Sequence, residues 1–258
     1  MVGLIHVVRD ITERKQAEEE RTKLEARLRE AQKMEVIGSL AGGVAHEVRN
    51  PLNAIMALTD ALDQEVGDDP EYKTFMMHMR TQVDRLTTLM NDLLELGKPV
   101  EQSKLRTEPL TEIVAISVDA WKQSKHGRGR EVVASLAGPA EGTYILADAK
   151  KLQQVFINLL DNAAQHSPEG SPVRIEVPPP AGGKAEVRVV DQGAGIAADI
   201  LPRVFDAFFT TRRGGTGLGL SIVKHIIEKH GGAISLANND PQPGCTVSVV
   251  LPVPEEIR

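Results

Sequence analysis

Residues 71–96 place Phe75, Met79, Gln82, Leu86, Leu89, Leu93 and Leu96 in steps of four and three that alternate without a break. That spacing keeps one narrow, mostly apolar stripe along an α-helix, which is buried only against another helix. Upstream, Val36, Ile37, Leu40, Val44, Val48, Leu52, Ile55, Leu58 and Leu62 also follow a helical pattern. Gly67-Asp68-Asp69-Pro70 separates the two runs, with the proline suited to the first turn of the second helix. Two long helices joined by a short turn make an antiparallel hairpin. One hairpin cannot bury both stripes, so the pattern predicts a homodimer in which two hairpins form a four-helix bundle.

The flanking segments read differently. Residues 1–8 form a short apolar run of strand type, and Thr12 is placed to cap a helix that continues as a charged run without Gly or Pro up to Met34. Within it, Leu24, Leu28 and Ala31 are four and three apart, a coiled-coil seam. Beyond Gly97-Lys98-Pro99 the pattern changes to alternating strands and helices. Strands are expected at about 131–136, 143–146, 173–177, 185–190 and 246–251, and helices at 111–125 and 218–229. Asp148 can cap a further helix carrying Leu152, Val155, Phe156, Leu159 and Leu160. The expected fold is α+β and multidomain. Residues 1–34 form a coiled coil, 35–98 a helical hairpin, and 99–258 an α/β sandwich of about five strands with helices on one face.

Composition narrows the function. A net charge of −6 argues against a general nucleic-acid binder, which carries a basic excess or stripe. Cys245 is the single cysteine, so neither an intrachain disulfide nor a cysteine zinc cluster can form, which suits a reducing cytoplasm. No apolar run approaches the roughly 18 residues of a membrane span, and no secretory signal pattern opens the chain. A cytoplasmic location without direct membrane insertion is therefore expected, with any sensing part largely outside these residues.

Two clusters carry chemistry. His46-Glu47-Val48-Arg49-Asn50-Pro51 lies inside the first long helix, after Gly42-Gly43-Val44-Ala45, whose small side chains leave the imidazole accessible. A neutral, accessible imidazole is a nucleophile, and a carboxylate such as Glu47 can fix its tautomer. Asn50 is one helical turn from His46, and Pro51 removes a backbone donor beside it. The second cluster holds Asn158 and Asn162, one turn apart on one helix, then Asp191-Gln192-Gly193-Ala194-Gly195 and Gly215-Thr216-Gly217-Leu218-Gly219-Leu220. The second glycine run opens a helix, whose free amides and dipole favour phosphate. It does not follow the first strand of a βαβ unit, which disfavours a generic dinucleotide site. His78, His126, His225 and His230 carry no motif, and Trp121 and Cys245 read as packed residues.

In this order the segments resemble a sensor histidine kinase. Residues 38–52 around His46 resemble that family's phosphoacceptor box. Asn158-Leu159-Leu160-Asp161-Asn162-Ala163 resembles its N box, and residues 191–195 its G1 box. Phe205-Asp206-Ala207-Phe208-Phe209-Thr210-Thr211 resembles the F box, and residues 215–220 the G2 box. The resemblance spans about residues 30–252, while residues 10–15 are similar to the exit of a PAS sensor domain.

The resemblance implies a dimerisation and phosphotransfer hairpin followed by an ATP-binding domain of the GHKL type. It implies ATP and Mg²⁺ as cofactors, His46 as phosphoacceptor and Glu47 as the group that polarises it. Asn162 would coordinate Mg²⁺ with Asn158 beside it, and Asp191 would read the adenine amino group, with Gly193 and Gly195 allowing close backbone approach to the cofactor. Gly215, Thr216, Gly217, Leu218 and Gly219 would lie against the phosphates, with His166 and Ser167 lining the pocket. The lid is short, and either Arg212 or Arg213 stands where relatives often carry a lysine. Asn50 is of the type that positions water to dephosphorylate a partner, so phosphatase activity toward the receiver domain of a response regulator is expected as well. A chaperone or DNA-repair ATPase would share the nucleotide boxes without needing His46-Glu47. A signalling scaffold would not need intact His46, Asn162 and Asp191.

Overall fold

The computed structural model describes residues 18, 21–22, 48–65, 69–97, 104–136, 143–212 and 215–254. The chain divides into two compact units, 1–98 and 99–258. The expected strand at residues 1–8 lies outside the described residues, as does most of the expected coiled coil.

In the first unit, residues 48–65 form helix α1 and Pro70–Gly97 form α2. Arg49 donates to Asn91 Oδ1 at 3.2 Å, and Arg80 meets Asp60 at 2.7 Å and Asp63 at 3.1 Å, so the two helices run antiparallel. These pairs are solvent-exposed and set register more than they add stability. Buried along the hairpin are Leu52, Thr59, Met76, Val83 and Leu96. The Thr59 hydroxyl is satisfied by donating to the Ile55 carbonyl at 2.8 Å. The line buried within one chain is not the predicted stripe. Within one chain the buried line on α2 runs through Met76 and Val83, one position beyond Phe75 and Gln82 of the predicted stripe. Phe75 remains 59% exposed, Leu86 48% and, on α1, Leu58 65%. Two helices bury only the line along which they touch, and the wider apolar arc of each is left over.

The second unit contains β1 (Arg106–Pro109), α3 (Leu110–Gln123), β2 (Val132–Leu136), β3 (Tyr144–Ala147) and α4 (Ala149–His166). These are followed by β4 (Val173–Val177), β5 (Lys184–Val190), α5 (Gly219–Lys229), β6 (Ala233–Asn238) and β7 (Cys245–Pro252). The main sheet has the order β2-β4-β5-β7-β6, with β2 and β4 parallel and the other pairs antiparallel. β1 and β3 make a separate antiparallel pair. Burial alternates strictly along β4 and β7, so one sheet face is covered and the other is open. The cover comes from single stripes on the helices, for example Leu152, Val155, Phe156, Leu159, Leu160, Ala163 and Ala164 on α4. The α/β sandwich is thus as expected, but with seven described strands rather than five. β1 and β6 escaped because their signals are weak: Arg106-Thr107-Glu108-Pro109 is polar, and β6 alternates only over Ile234-Ser235-Leu236 on a half-exposed edge strand.

Side-chain hydrogen bonds fasten α4 at both ends. Asp148 caps it, its Oδ1 accepting from the amides of Lys150 at 3.1 Å and Lys151 at 3.3 Å, which contributes about 1 kcal/mol. His230, just beyond α5, accepts the Asp148 amide on Nε2 at 3.1 Å and donates from Nδ1 to the Ile226 carbonyl at 2.8 Å. Near the other end, the fully buried Trp121 donates from its indole to Asp161 Oδ1 at 2.6 Å, and His126 approaches the same oxygen at 3.3 Å. No helix among the described residues is long and apolar enough to cross a membrane.

Packing of α5 against α4 half-buries His225. Burial, then the charges of Lys229 and Lys151, hold its pKa below the ordinary 6.5. The unfolded chain therefore binds this proton more readily, so unfolding takes up protons and stability rises with pH across this window. The contribution is intact above about pH 6.5 and is lost as the pH falls below it. Thermal unfolding followed by circular dichroism should give a lower midpoint at pH 5 than at pH 7.5. His225→Gln should flatten part of that slope, and an unchanged slope would contradict the assignment.

Candidate functional site

Asn158, Asn162 and His166 lie on α4, the asparagines one turn apart and half-buried. No described residue engages either asparagine side-chain amide. A half-buried amide pair without a protein partner on an otherwise well-satisfied helix is open to a ligand. Asp191 follows β5 and is 8% exposed. Its Oδ1 accepts the amides of Gly193 at 2.8 Å and Cys245 at 3.0 Å. Its own amide donates to the Cys245 carbonyl at 2.9 Å. No described group donates to Oδ2. The carboxylate is thus fixed through one oxygen and keeps the other as a free acceptor.

The chain then gathers around the end of α4. Gln192 donates its amide to Ser167 Oγ at 3.1 Å, tying the turn after β5 to the residue that closes α4. Arg212 donates from Nη1 to Gln165 Oε1, and its amide donates to Thr210 Oγ1 at 3.1 Å. Gly215 donates to the Arg212 carbonyl at 3.4 Å. The Phe208 amide donates to the Gly217 carbonyl at 2.9 Å. Gly217 has φ +68°, and a Cβ there would stand 2.5 Å from the Phe208 carbonyl carbon, so only glycine fits. Phe208 itself sits at φ 67°, a conformation costing a non-glycine residue about 1–3 kcal/mol. The F-box segment and the second glycine loop are therefore clasped together at a local backbone cost.

Leu218 is fully buried and precedes α5, which begins at Gly219 without a side-chain cap. Its first amides remain available to an anion. Among the described residues no cluster of three or more His, Cys, Asp or Glu could hold a metal. A Mg²⁺ ion near Asn158 and Asn162 would thus need phosphate oxygens and water to complete its oxygen shell, its ordinary mode with nucleotides. A notch of about 460 Å³ lies beside the turn after β5, between Ala194, Gly195, Ile196, Asn238, Asn239 and Pro243. It offers no charged group.

Of the remaining residues singled out in the sequence, Gly195 and Thr216 sit in the two glycine turns, and Asn50 is exposed on α1 in the first unit. His46, Glu47 and Arg213 lie outside the described residues. The sequence reading passed over Asn238, Asn239 and Gly244, which pack against the turn after β5. Asn238-Asn239-Asp240-Pro241 is turn chemistry, and nothing in such a run points to a site.

Burial lowers the His166 pKa from 6.5 and the Arg212 guanidinium lowers it further, while the Asp191 carboxylate works the other way. Arg212→Ala removes one of the two lowering causes. In a proton NMR titration His166 should therefore titrate at higher pH in that variant than in the parent chain. An unchanged midpoint would place Arg212 away from this pocket.

Comparison with known proteins agrees with this arrangement. Residues 36–102 match the family described as "His Kinase A (phospho-acceptor) domain". Residues 147–255 match that described as "Histidine kinase-, DNA gyrase B-, and HSP90-like ATPase". The sensor histidine kinase ZraS of Salmonella typhimurium is 34% identical over 226 residues, covering 88% of this chain and 48% of ZraS. The chain thus spans about half the length of that curated relative. A mycobacterial sensor histidine kinase, MprB, is 32% identical, with a TM-score of 0.52 over 58% of this chain and 97% of that one. Histidine kinase ThkA, in a crystal complex with response regulator protein TrrA, has a TM-score of 0.62 at 26% identity, over 97% of this chain and 70% of that one. The chain belongs to the sensor histidine kinases of two-component systems, with a phosphoacceptor region followed by a GHKL-type ATPase domain.

Proposed function

We propose that this chain autophosphorylates on His46 with MgATP and passes the phosphoryl group to an aspartate on the receiver domain of a response regulator. The observation that carries the reading is the convergence, within one unit, of the Asp191 turn, the end of α4, the Arg212 loop and the glycine-rich start of α5. Asp191 reads the adenine amino group through Oδ2, while Gly193 and Gly195 allow the base to approach the turn. Residues Gly215, Thr216, Gly217, Leu218 and Gly219 present backbone amides to the phosphates. Asn162, with Asn158 one turn away, would hold Mg²⁺, which when bound supplies neutralisation of phosphate charge. Arg212, held by Gln165 beside His166, is placed to serve as a lid cation.

At the phosphoacceptor, the unprotonated nitrogen of the His46 imidazole forms a bond to the γ-phosphorus. The bond to the β–γ bridging oxygen breaks, and ADP leaves with that electron pair. Glu47 polarises the N–H on the other ring nitrogen and stabilises the imidazolium that develops. Positioning and charge neutralisation supply most of the acceleration in such transfers. Asn50, exposed on α1, positions the water that hydrolyses the regulator's phosphoaspartate.

The working unit is a homodimer through the hairpin and the preceding coiled coil. The exposed apolar side chains Ile55, Leu58, Leu62, Phe75, Met79 and Leu86 support this, because a large contiguous apolar face marks an interface. Residues 1–34 act as the end of a PAS-like strand and the signalling coiled coil, 35–98 as the dimerisation and phosphotransfer hairpin and 99–258 as the catalytic domain, all working in the cytoplasm. Incubation with Mg²⁺ and γ-labelled ATP, beside His46→Gln, tests the reading. Acid-labile, alkali-stable label is expected in the parent chain and none in the variant. Equal label in both would remove His46 from the mechanism.

A further inference from the structure

The turn between β6 and β7 reaches across to the segment 191–196 at every level of its structure. Asn238 makes a two-point clip to the backbone of Ile196: its Nδ2 donates to the Ile196 carbonyl at 2.8 Å, and its Oδ1 accepts the Ile196 amide at 2.8 Å. A backbone N–H and C=O presented together fix which end of the side-chain amide faces which. Asn239 donates from Nδ2 to the Asp191 carbonyl at 3.2 Å and to the Pro243 carbonyl at 3.2 Å. Its Oδ1 accepts the Thr246 hydroxyl at 2.6 Å, so this amide also has one orientation only. Gly244 lets the turn close in, since a Cβ there would stand 2.1 Å from the Asp191 carbonyl oxygen.

The two asparagines therefore grip the segment at its two ends, Asp191 and Ile196. Between those grips lie Gln192, Gly193, Ala194 and Gly195, whose glycines leave the loop little stiffness of its own. Within this stretch, Ser167 Oγ also accepts the Gln192 amide and Asp191 Oδ1 the Gly193 amide. Cys245 contributes backbone alone to Asp191, and its thiol serves Asn238, donating to Oδ1 at 3.3 Å. Burial, with the nearby Asp191 charge, pushes that thiol up to about 11, so it stays protonated as a donor at neutral pH. Two side chains from one hairpin, one of them backed by the Cys245 thiol, are thus spent on the backbone geometry of a single glycine-rich loop.

We propose that Asn238 and Asn239 are positioning residues of the nucleotide site, which hold the 191–196 loop so that Asp191 meets the adenine ring in a fixed pose. This rests on the reading of Asp191 as the adenine-binding carboxylate. Neither asparagine touches the nucleotide; each acts through the loop. Loosening the loop makes binding bear the entropy of ordering it, which weakens nucleotide affinity. Once nucleotide is bound the loop is ordered, and the phosphoryl-transfer step is unaffected. The signature is thus a raised KM with an unchanged kcat.

Calorimetric titration of the full chain with ADP, together with KM and kcat for label transfer from ATP, tests this on Asn238→Ala, Asn238→Asp and Asn239→Ala. Asn238→Asp keeps the size and the acceptor but replaces the donor that grips the Ile196 carbonyl, so it reports even where the alanine variant folds poorly. The expected result is about tenfold weaker ADP binding and about tenfold higher KM in each folded variant, with kcat at saturating ATP retained. Wild-type ADP affinity in the folded variants, or a fall in kcat at unchanged affinity, would overturn the proposal while leaving the nucleotide site intact. A parent chain that binds no ADP would overturn the reading of Asp191 itself, and this proposal with it.

Discussion

The arrangement of the second unit turns on one carboxylate. Asp191 is buried, and its Oδ1 is satisfied by two backbone amides that come from opposite directions, Gly193 in its own loop and Cys245 at the start of β7. Charge-assisted hydrogen bonds of this kind are among the stronger ones a protein makes. Because both donors are backbone, the carboxylate cannot turn without moving a strand or a loop. That fixed pose is what makes the remaining oxygen useful. A freely rotating aspartate would solvate itself, whereas this one presents a single acceptor in a set direction.

The surrounding elements hold the other contributors to the same geometry. α4 carries Asn158, Asn162 and His166, and its placement depends on Asp148 and His230 at one end and on Trp121 near the other. Trp121 gives its indole proton to Asp161, the residue between the two asparagines, and thereby keeps that carboxylate turned toward α3. Gly127 closes the loop over this pair, since a Cβ there would lie 2.0 Å from the Trp121 carbonyl oxygen. The strained φ of Phe208, held by its bond to Gly217, ties the F-box segment to the start of α5. A backbone cost kept at such a place is consistent with a segment shaped for a ligand rather than for stability.

Much of this was legible in the sequence because it rests on local patterns. The antiparallel hairpin followed from steps of four and three, the Asp148 cap from residue type and position, and β4 from strict alternation. The side of α2 that packs within the chain was not legible. A stripe shows which residues avoid water, but not whether the partner helix belongs to the same chain, and Met76 and Val83 took the inner line. β1 was missed because it is polar throughout, and β6 because its alternation covers only Ile234-Ser235-Leu236 on an edge strand. The role of Asn238 and Asn239 was also invisible. Their partners, Ile196 and Asp191, are more than forty residues away, and only the sheet order that seats β7 beside β5 brings them together.

The central claim is that Asp191 is an acceptor aimed at the amino group of adenine. The most direct test is calorimetric titration of the chain with ATP and with inosine triphosphate, which presents a carbonyl oxygen where adenine carries its amino group. The account predicts that ATP binds and that inosine triphosphate binds more weakly, on the order of a hundredfold or more, because a buried carboxylate would then face an acceptor. Equal affinity for the two nucleotides would contradict it.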